Sequence, residues 1–239
     1  VEEALVRIFP TARVMRIDSD VAGSAEEIAR ALEAVREREV DILVGTQMLS
    51  KGHDFAGVTL VCVLSADQGL YSLDFRGPER LSQQLAQVSG RAGRRDSPGA
   101  VLVQTSHPES PAFARLKTHD FVGFAKEALI ERKAAGYPPY ARFALMRAES
   151  TQSGAPMTFL RSAALAGEAL SYRKAVEIMA PVPSPMERRA GRFRAQLLVR
   201  SKDEHRFHRF LDNWLQGIES SRGATAVRWS IDVDPQEMY

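Results

Sequence analysis

Short, continuously apolar runs alternate with stretches of helical period through the first half of the chain. Val40-Asp41-Ile42-Leu43-Val44, Val58-Thr59-Leu60-Val61-Cys62-Val63-Leu64 and Ala100-Val101-Leu102-Val103-Gln104 are apolar almost throughout. Continuous runs, rather than an alternating pattern, read as strands covered on both faces. Ala12 to Asp18 reads as a further strand. A short helix spans 2–8. Ser24 can cap the next helix, with Glu26 and Glu27 near its positive end and Ile28, Leu32 and Val35 along one face. Pro78 opens a third helix, in which Leu81, Leu85 and Val88 follow at i, i+4 and i+7. Strands joined through helices must run parallel, so the order defines an α/β layer structure: a parallel sheet with flanking helices. The loops leaving the strand carboxyl ends are where such sheets bind ligands.

Composition narrows the class. The chain has 239 residues, a formal charge of +2 and one cysteine, Cys62. So small a net charge carries no nucleic-acid signal, and local patches must supply it. Cys62 is expected to be a buried strand residue. One cysteine excludes a disulfide framework and a cysteine zinc cluster built from this chain alone. This usage fits the cytoplasm. We find no membrane-spanning run and no signal peptide, so no membrane partner is expected. The opening Val1-Glu2-Glu3-Ala4-Leu5 reads as a helix already under way, as in a piece of a longer protein.

Three loops sit where the sheet would bind ligands. The first, residues 45–55, supplies Thr46 and Ser50 hydroxyls, Lys51 and free backbone amides, all suited to phosphate oxygens. It is not a P-loop, because G-x-x-x-x-G-K-[ST] does not occur. Asp54 can meet a ribose hydroxyl or an arginine. The second, residues 67–76, holds Asp67, Asp74 and Arg76, read as structural or positioning residues. The third is Gln87-Val88-Ser89-Gly90-Arg91-Ala92-Gly93-Arg94. Its two arginines lie about one turn apart beside glycines that admit a close approach. Such a face suits a dense anion such as a triphosphate.

Gly136-Tyr137-Pro138-Pro139-Tyr140 breaks the helix that carries Phe121, Phe124, Ala128 and Leu129, and we place a domain boundary there, giving domains 1–136 and 137–239. Beyond it the pattern reads strand 142–148, helix 155–171, strand 175–180, strand 193–200, helix 204–219 and strand 225–233. That βαββαβ order is the α+β, ferredoxin-like split. Pro181, Pro183 and Pro185 are expected to connect the two central strands. Period-two alternation puts Arg192, Arg194 and Gln196 on one face, with Phe193, Ala195 and Leu197 on the other. A row of arginines with a glutamine suits an acidic peptide or a phosphate backbone. His205 and His208 stand three apart on a helix, but no third ligand accompanies them, so no metal site is expected.

The loop 45–55 and the run 87–94, bracketing a strand and a helix, resemble motifs V and VI of superfamily 2 helicases. Taken with Ala66-Asp67-Gln68-Gly69-Leu70-Tyr71-Ser72-Leu73-Asp74-Phe75-Arg76, Ala180-Pro181-Val182-Pro183 and Arg228-Trp229-Ser230-Ile231-Asp232-Val233-Asp234-Pro235, the resemblance narrows to the bacterial replication-restart helicases of the PriA (primosomal protein N′) type. It implies most of a RecA-like helicase lobe 2, followed by the family's C-terminal domain. It also implies an ATP-dependent 3′–5′ DNA helicase that binds stalled or branched forks and drives primosome assembly. In that family Arg91 and Arg94 would be arginine fingers. Gln87, Gly52 and Asp54 would face the nucleotide, and Thr46, Gln47 and Lys51 would contact DNA. Arg192 and Gln196 match positions that bind the acidic C-terminal tail of single-stranded DNA-binding protein.

The resemblance places ATP and Mg²⁺ mainly on a first lobe, and zinc on a cysteine cluster, neither of which this sequence carries. It therefore implies no ATP hydrolysis by the chain alone. Ala195 stands where relatives commonly have an aromatic. From another functional class, the chain can be read as a stand-alone module for that acidic tail, or for DNA.

Overall fold

The computed structural model describes residues 1–17, 25–45, 57–72, 74–89, 99–170, 174–220 and 227–238. By its internal contacts the chain divides into two compact units. The first holds Val1–Ser72 and Arg76–Phe121, and the second holds Leu73–Phe75 and Val122–Tyr239.

The first unit contains α1 (Glu2–Ile8), β1 (Val14–Ile17), α2 (Ala25–Arg36), β2 (Ile42–Gly45), β3 (Leu60–Val63), α3 (Asp67–Leu70), α4 (Gly77–Ser89), β4 (Ala100–Val103) and α5 (Pro111–Lys117). The described strands form two parallel pairs, β1 with β2 and β3 with β4. This is the α/β arrangement that the strand–helix alternation requires. Leu32 is buried and Ile28 and Val35 are half-buried on α2, as their spacing predicts. Arg13 closes the start of the first pair. Its Nε donates to Asp41 Oδ2 at 2.9 Å and its Nη2 donates to the Arg38 carbonyl at 2.7 Å. The side-chain bonds from Arg13 to Asp41, and then its backbone N–H, which also donates to Asp41, hold the Asp41 carboxyl well below the usual range. A small core of Ala66, Leu81, Leu85 and Phe113, with Val63 and Val103 against it, joins α4 and α5 to the second pair.

Two expectations fail in this unit. Cys62 is exposed, because β3 alternates: Val61 and Val63 turn inward while Leu60 and Cys62 turn out. Residues 67–70 form a helix, not a loop. Gly69 had read as a loop signal, but it serves packing: a Cβ there would stand 3.0 Å from Leu81 Cβ.

The second unit contains α6 (Phe121–Ala135) from Val122 onward, β5 (Arg142–Ser150), α7 (Ala155–Glu168), β6 (Glu177–Ile178), β7 (Val182–Arg189), β8 (Arg192–Ser201), α8 (Glu204–Glu219) and β9 (Arg228–Val233). The sheet order β6-β8-β5-β9, antiparallel throughout, is the ferredoxin-like order that the βαββαβ reading anticipates. One strand was not anticipated. The segment with Pro183 and Pro185 is itself a strand, β7, that pairs only with β8, and its register shifts between Pro183 and Arg188. Prolines lack a donor, and an edge strand with an irregularity tolerates them.

Helices α7 and α8 cover one sheet face. Ala144, Met146 and Ala148 of β5 and Ala195, Leu197 and Val199 of β8 meet Leu160, Phe207, Phe210 and Trp214 there. Each fully buried Phe or Leu of this kind stabilises by about 1.5–3 kcal/mol. Trp214 donates its indole N–H to the Ala163 carbonyl at 2.7 Å, so the buried polar atom is satisfied. Asp203 caps α8 by accepting from the Arg206 amide at 3.0 Å. Phe75, a member of this unit, lies 5.1 Å from the Tyr137 ring and 6.0 Å from Phe143, with the Arg132 guanidinium 4.9 Å from its centre.

Candidate functional site

In the first unit both parallel pairs end level. Ile17 stands opposite Gly45, and Val63 opposite Val103, so the segments leaving these strands start from shared edges. Asp67 ties two of them together. Its carboxylate accepts from the Thr105 hydroxyl and, at 2.8 Å, from the Ser106 amide. The first of these bonds and then the second hold its carboxyl below the ordinary value. Asp67 is thus a positioning residue, as its sequence context indicates.

Helix α4 runs from this edge toward residue 90. Its start is fixed by Gly77, where a Cβ would lie 2.4 Å from Ser72 Cβ and 2.6 Å from the Gly69 carbonyl. Burial of Leu81 and Leu85 turns Gln83 and Gln87 outward on a shared face. Gln87 is therefore exposed one turn before the segment that carries the two arginines. Arg91 and Arg94, like Thr46, Gln47, Lys51, Gly52 and Asp54, lie outside the described residues.

The second unit presents the other candidate surface, the sheet face opposite its helices. Register places Arg194 beside Glu149, Gln196 beside Arg147, and Leu198 beside Leu145; on β9, Arg228, Ser230 and Asp232 continue the same three rows. Arg192 and Gln196 therefore share the face that alternation assigns them, and Ala195 faces the core, 1% exposed. Glu149 is shared by Arg228 at 3.5 Å and Arg192 at 4.0 Å. Arg188 stacks over the Phe193 ring at 5.3 Å. The Arg194 side chain has no hydrogen bond or ion pair among the described residues.

Sequence reasoning missed how this face is closed at one end. Arg147 donates to the Glu237 carbonyl at 2.7 Å, and Gln196 Nε2 donates to the Met238 carbonyl at 3.2 Å. The only hint was the acidic run Asp232 to Glu237, opposite arginines. Asp232 pairs with Arg147 at 3.3 Å and Asp234 with Arg142 at 2.8 Å.

A cleft of about 690 Å³ opens elsewhere in this unit, lined by Lys174, Lys202, Arg200, Glu168 and Glu177. Arg200 is already engaged there by Glu177 at 2.8 Å and by the Ala135 carbonyl. His208 lies 3.9 Å from Glu204, and no group of three metal-ligating side chains occurs among the described residues. Among those residues no helix is long and apolar enough to cross a membrane. One cysteine cannot furnish a cysteine cluster for zinc from this chain alone.

Comparison with known families accounts for both halves. Residues 3–96 match the helicase conserved C-terminal domain, and residues 133–236 match the primosomal protein N C-terminal domain. Fold and family together define a helicase C-terminal lobe joined to a primosomal C-terminal domain. The chain is 37% identical over 238 residues to the replication restart protein PriA of Haemophilus influenzae, covering 99% of this chain and 32% of that protein. It is 40% identical over 235 residues to that of Synechocystis, covering 98% and 28%. It is 37% identical over 243 residues to that of Bacillus subtilis, covering 100% and 29%. Along nearly its whole length the chain is similar to the replication restart proteins PriA, and it spans about a third of the length of these relatives.

Proposed function

We propose that this chain is the motor-completing part of an ATP-dependent 3′–5′ DNA helicase that acts at stalled or branched forks and helps assemble a primosome with DNA and other primosome proteins. The observation that supports this most is the geometry of α4. Gly77 and the buried Leu81 and Leu85 hold the helix against the β3–β4 edge, and Gln87 stands exposed on its last turn, four residues before Arg91 in the sequence. In this reading the two guanidiniums contact the phosphates of ATP, which a lobe outside this chain holds with Mg²⁺, and Gln87, Gly52 and Asp54 line the same cleft. Thr46, Gln47 and Lys51 meet the DNA backbone. A helicase of this kind works in the cytoplasm, at the nucleoid.

Arginine fingers are worth about 10³–10⁵ in rate in other nucleotide hydrolases. Arg91→Ala in the whole protein is expected to abolish DNA-stimulated ATP hydrolysis while leaving folding intact. Unchanged turnover removes the finger assignment. The chain alone is expected to hydrolyse no ATP, and hydrolysis by the purified chain contradicts this division of labour.

A second role rests on the sheet face of the second unit. Arg192, Arg194 and Gln196 form a cationic, hydrogen-bonding row suited to the acidic tail of single-stranded DNA-binding protein. Gln196 Oε1 is buried without a hydrogen-bond partner among the described residues, which leaves an acceptor for an incoming backbone N–H. Arg192→Glu should weaken tail binding more than about tenfold. Equal binding after that change moves the site elsewhere. A steep salt dependence of binding to single-stranded DNA on the same face would instead support a DNA clamp.

A further inference from the structure

The row that would read a partner peptide already holds a stretch of peptide, and that stretch is the chain's own. β9 hands over to Asp234, whose amide donates to the Phe143 carbonyl at 2.8 Å. Pro235 follows, fully buried, and anchors the segment. Beyond this anchor the backbone crosses the strands. The Glu237 carbonyl is taken by Arg147 of β5, and the Met238 carbonyl by Gln196 of β8, which stands beside Arg147 in register.

We propose that residues 236–238 are an intramolecular strap over the Gln196 end of the Arg192–Arg194–Gln196 row, and that an acidic peptide binds there by displacing them. The proposal rests on the reading of that row as a partner site. Three observations carry it. The strap is held past Pro235 by side-chain donors to two backbone carbonyls, a mode that any extended peptide can imitate. It satisfies Gln196 only by half. Nε2 is engaged, and the Met238 acceptor fixes which end of the amide is nitrogen, yet Oε1 is buried with no partner among the described residues. A peptide that offers an N–H beside its C=O completes the amide, so the incomer gains a bond the strap does not make. Finally, Arg194, one alternation along the same strand face, makes no ion pair among the described residues. An acidic side chain is the complement it lacks.

The strap itself carries one acidic side chain, Glu237. It is thus a weak copy of the ligand chemistry proposed for the row, tethered at high effective concentration. Displacement makes the affinity for a partner depend on how firmly Arg147 and Gln196 hold the chain's own backbone.

The test compares the full chain with a version ending at Pro235, which keeps the buried anchor and removes only the crossing segment. A fluorescently labelled synthetic peptide rich in Asp is titrated into each and followed by anisotropy. The shortened chain is expected to bind at least about threefold tighter, because removing an intramolecular competitor raises the competent fraction. In parallel, the side-chain amide resonance of Gln196 is followed by NMR and should shift on truncation, whether or not any partner binds. An unmoved Gln196 resonance, or equal affinity of both chains for the peptide, overturns the strap and leaves the partner reading standing. Failure of the peptide to bind either chain removes the partner reading and the displacement with it.

Discussion

Two glycines in the second unit allow the same substitution to be tested with opposite signs. Gly167 lies on the buried side of α7. A Cβ added there would stand 2.7 Å from Ile178 Cδ1, 3.0 Å from Trp214 Nε1 and 3.2 Å from Phe210 Cζ. Gly217 lies on α8, and a Cβ there meets nothing within 4 Å. Alanine in place of glycine in a helix gains about 0.5–1 kcal/mol. At Gly217 that gain stands alone, so Gly217→Ala should stabilise by about that amount. At Gly167 it is opposed by overpacking, which costs about 1–3 kcal/mol. Ile178 Cδ1 is the end of a side chain and can rotate aside. The indole cannot move cheaply, because its N–H is committed to the Ala163 carbonyl at 2.7 Å. Loss of that bond costs a further 0.5–1.5 kcal/mol or so. The net for Gly167→Ala is a loss of about 0.5–4 kcal/mol. Both tryptophans of the chain, Trp214 and Trp229, belong to this unit, so tryptophan emission during urea unfolding reports on it directly. The midpoint should fall for Gly167→Ala and rise for Gly217→Ala. Equal midpoints, or a more stable Gly167→Ala, would refute the packing argument.

Gly77→Ala should disturb the motor edge. Its Cβ meets the Gly69 backbone carbonyl at 2.6 Å, which cannot swing away, so α4 must shift by roughly 1 Å, a displacement that can cost about 100-fold in a catalytic site. DNA-stimulated ATP hydrolysis by the whole protein carrying this change should drop by about that factor, and wild-type turnover would show that α4 does not position the segment after Ser89. Acid should loosen the β1–β2 pair. Asp41 titrates below its unfolded value of about 3.9, so its contribution is present above that pH and is lost as pH falls through the folded value. Asp41→Asn should flatten the acid limb of a stability–pH curve; an unchanged limb places the titrating group elsewhere.

Much of this architecture was readable from the residues. Apolar spacing located α2, α4 and α8, and period-two alternation placed Arg192 and Gln196 on one face of β8. What escaped was set by distant partners. Gly69 looks like a loop glycine until Leu81, on another helix, comes against it. β7 looks like a connector because prolines rarely sit in strands. Its turn at Ala190 and Gly191 takes positive φ at both residues, 48° and 77°, without the Asn-Gly pair that usually announces such a turn. Cys62 was placed inside because its run is apolar throughout, but the β3–β4 pair turns every second residue out. The capture of Gln196 by Met238 joins residues 42 apart, and neither side chain signals it locally. The residues expected to meet nucleotide and DNA rest on spacing and family resemblance, and of these only Gln87 lies among the described residues.

The prolines of β7 also decide how this sheet ends. A free outer strand is a template on which another copy could add its own backbone, extending the sheet from molecule to molecule. Pro183 and Pro185 withhold two of the amide donors that such growth needs, and the shifted register between Pro183 and Arg188 spoils the spacing of the rest. The arginines at the hairpin tip add mutual repulsion between copies. Solubility at that margin is therefore written into the short proline-bearing segment that pairs beside the Arg192–Arg194–Gln196 row of β8.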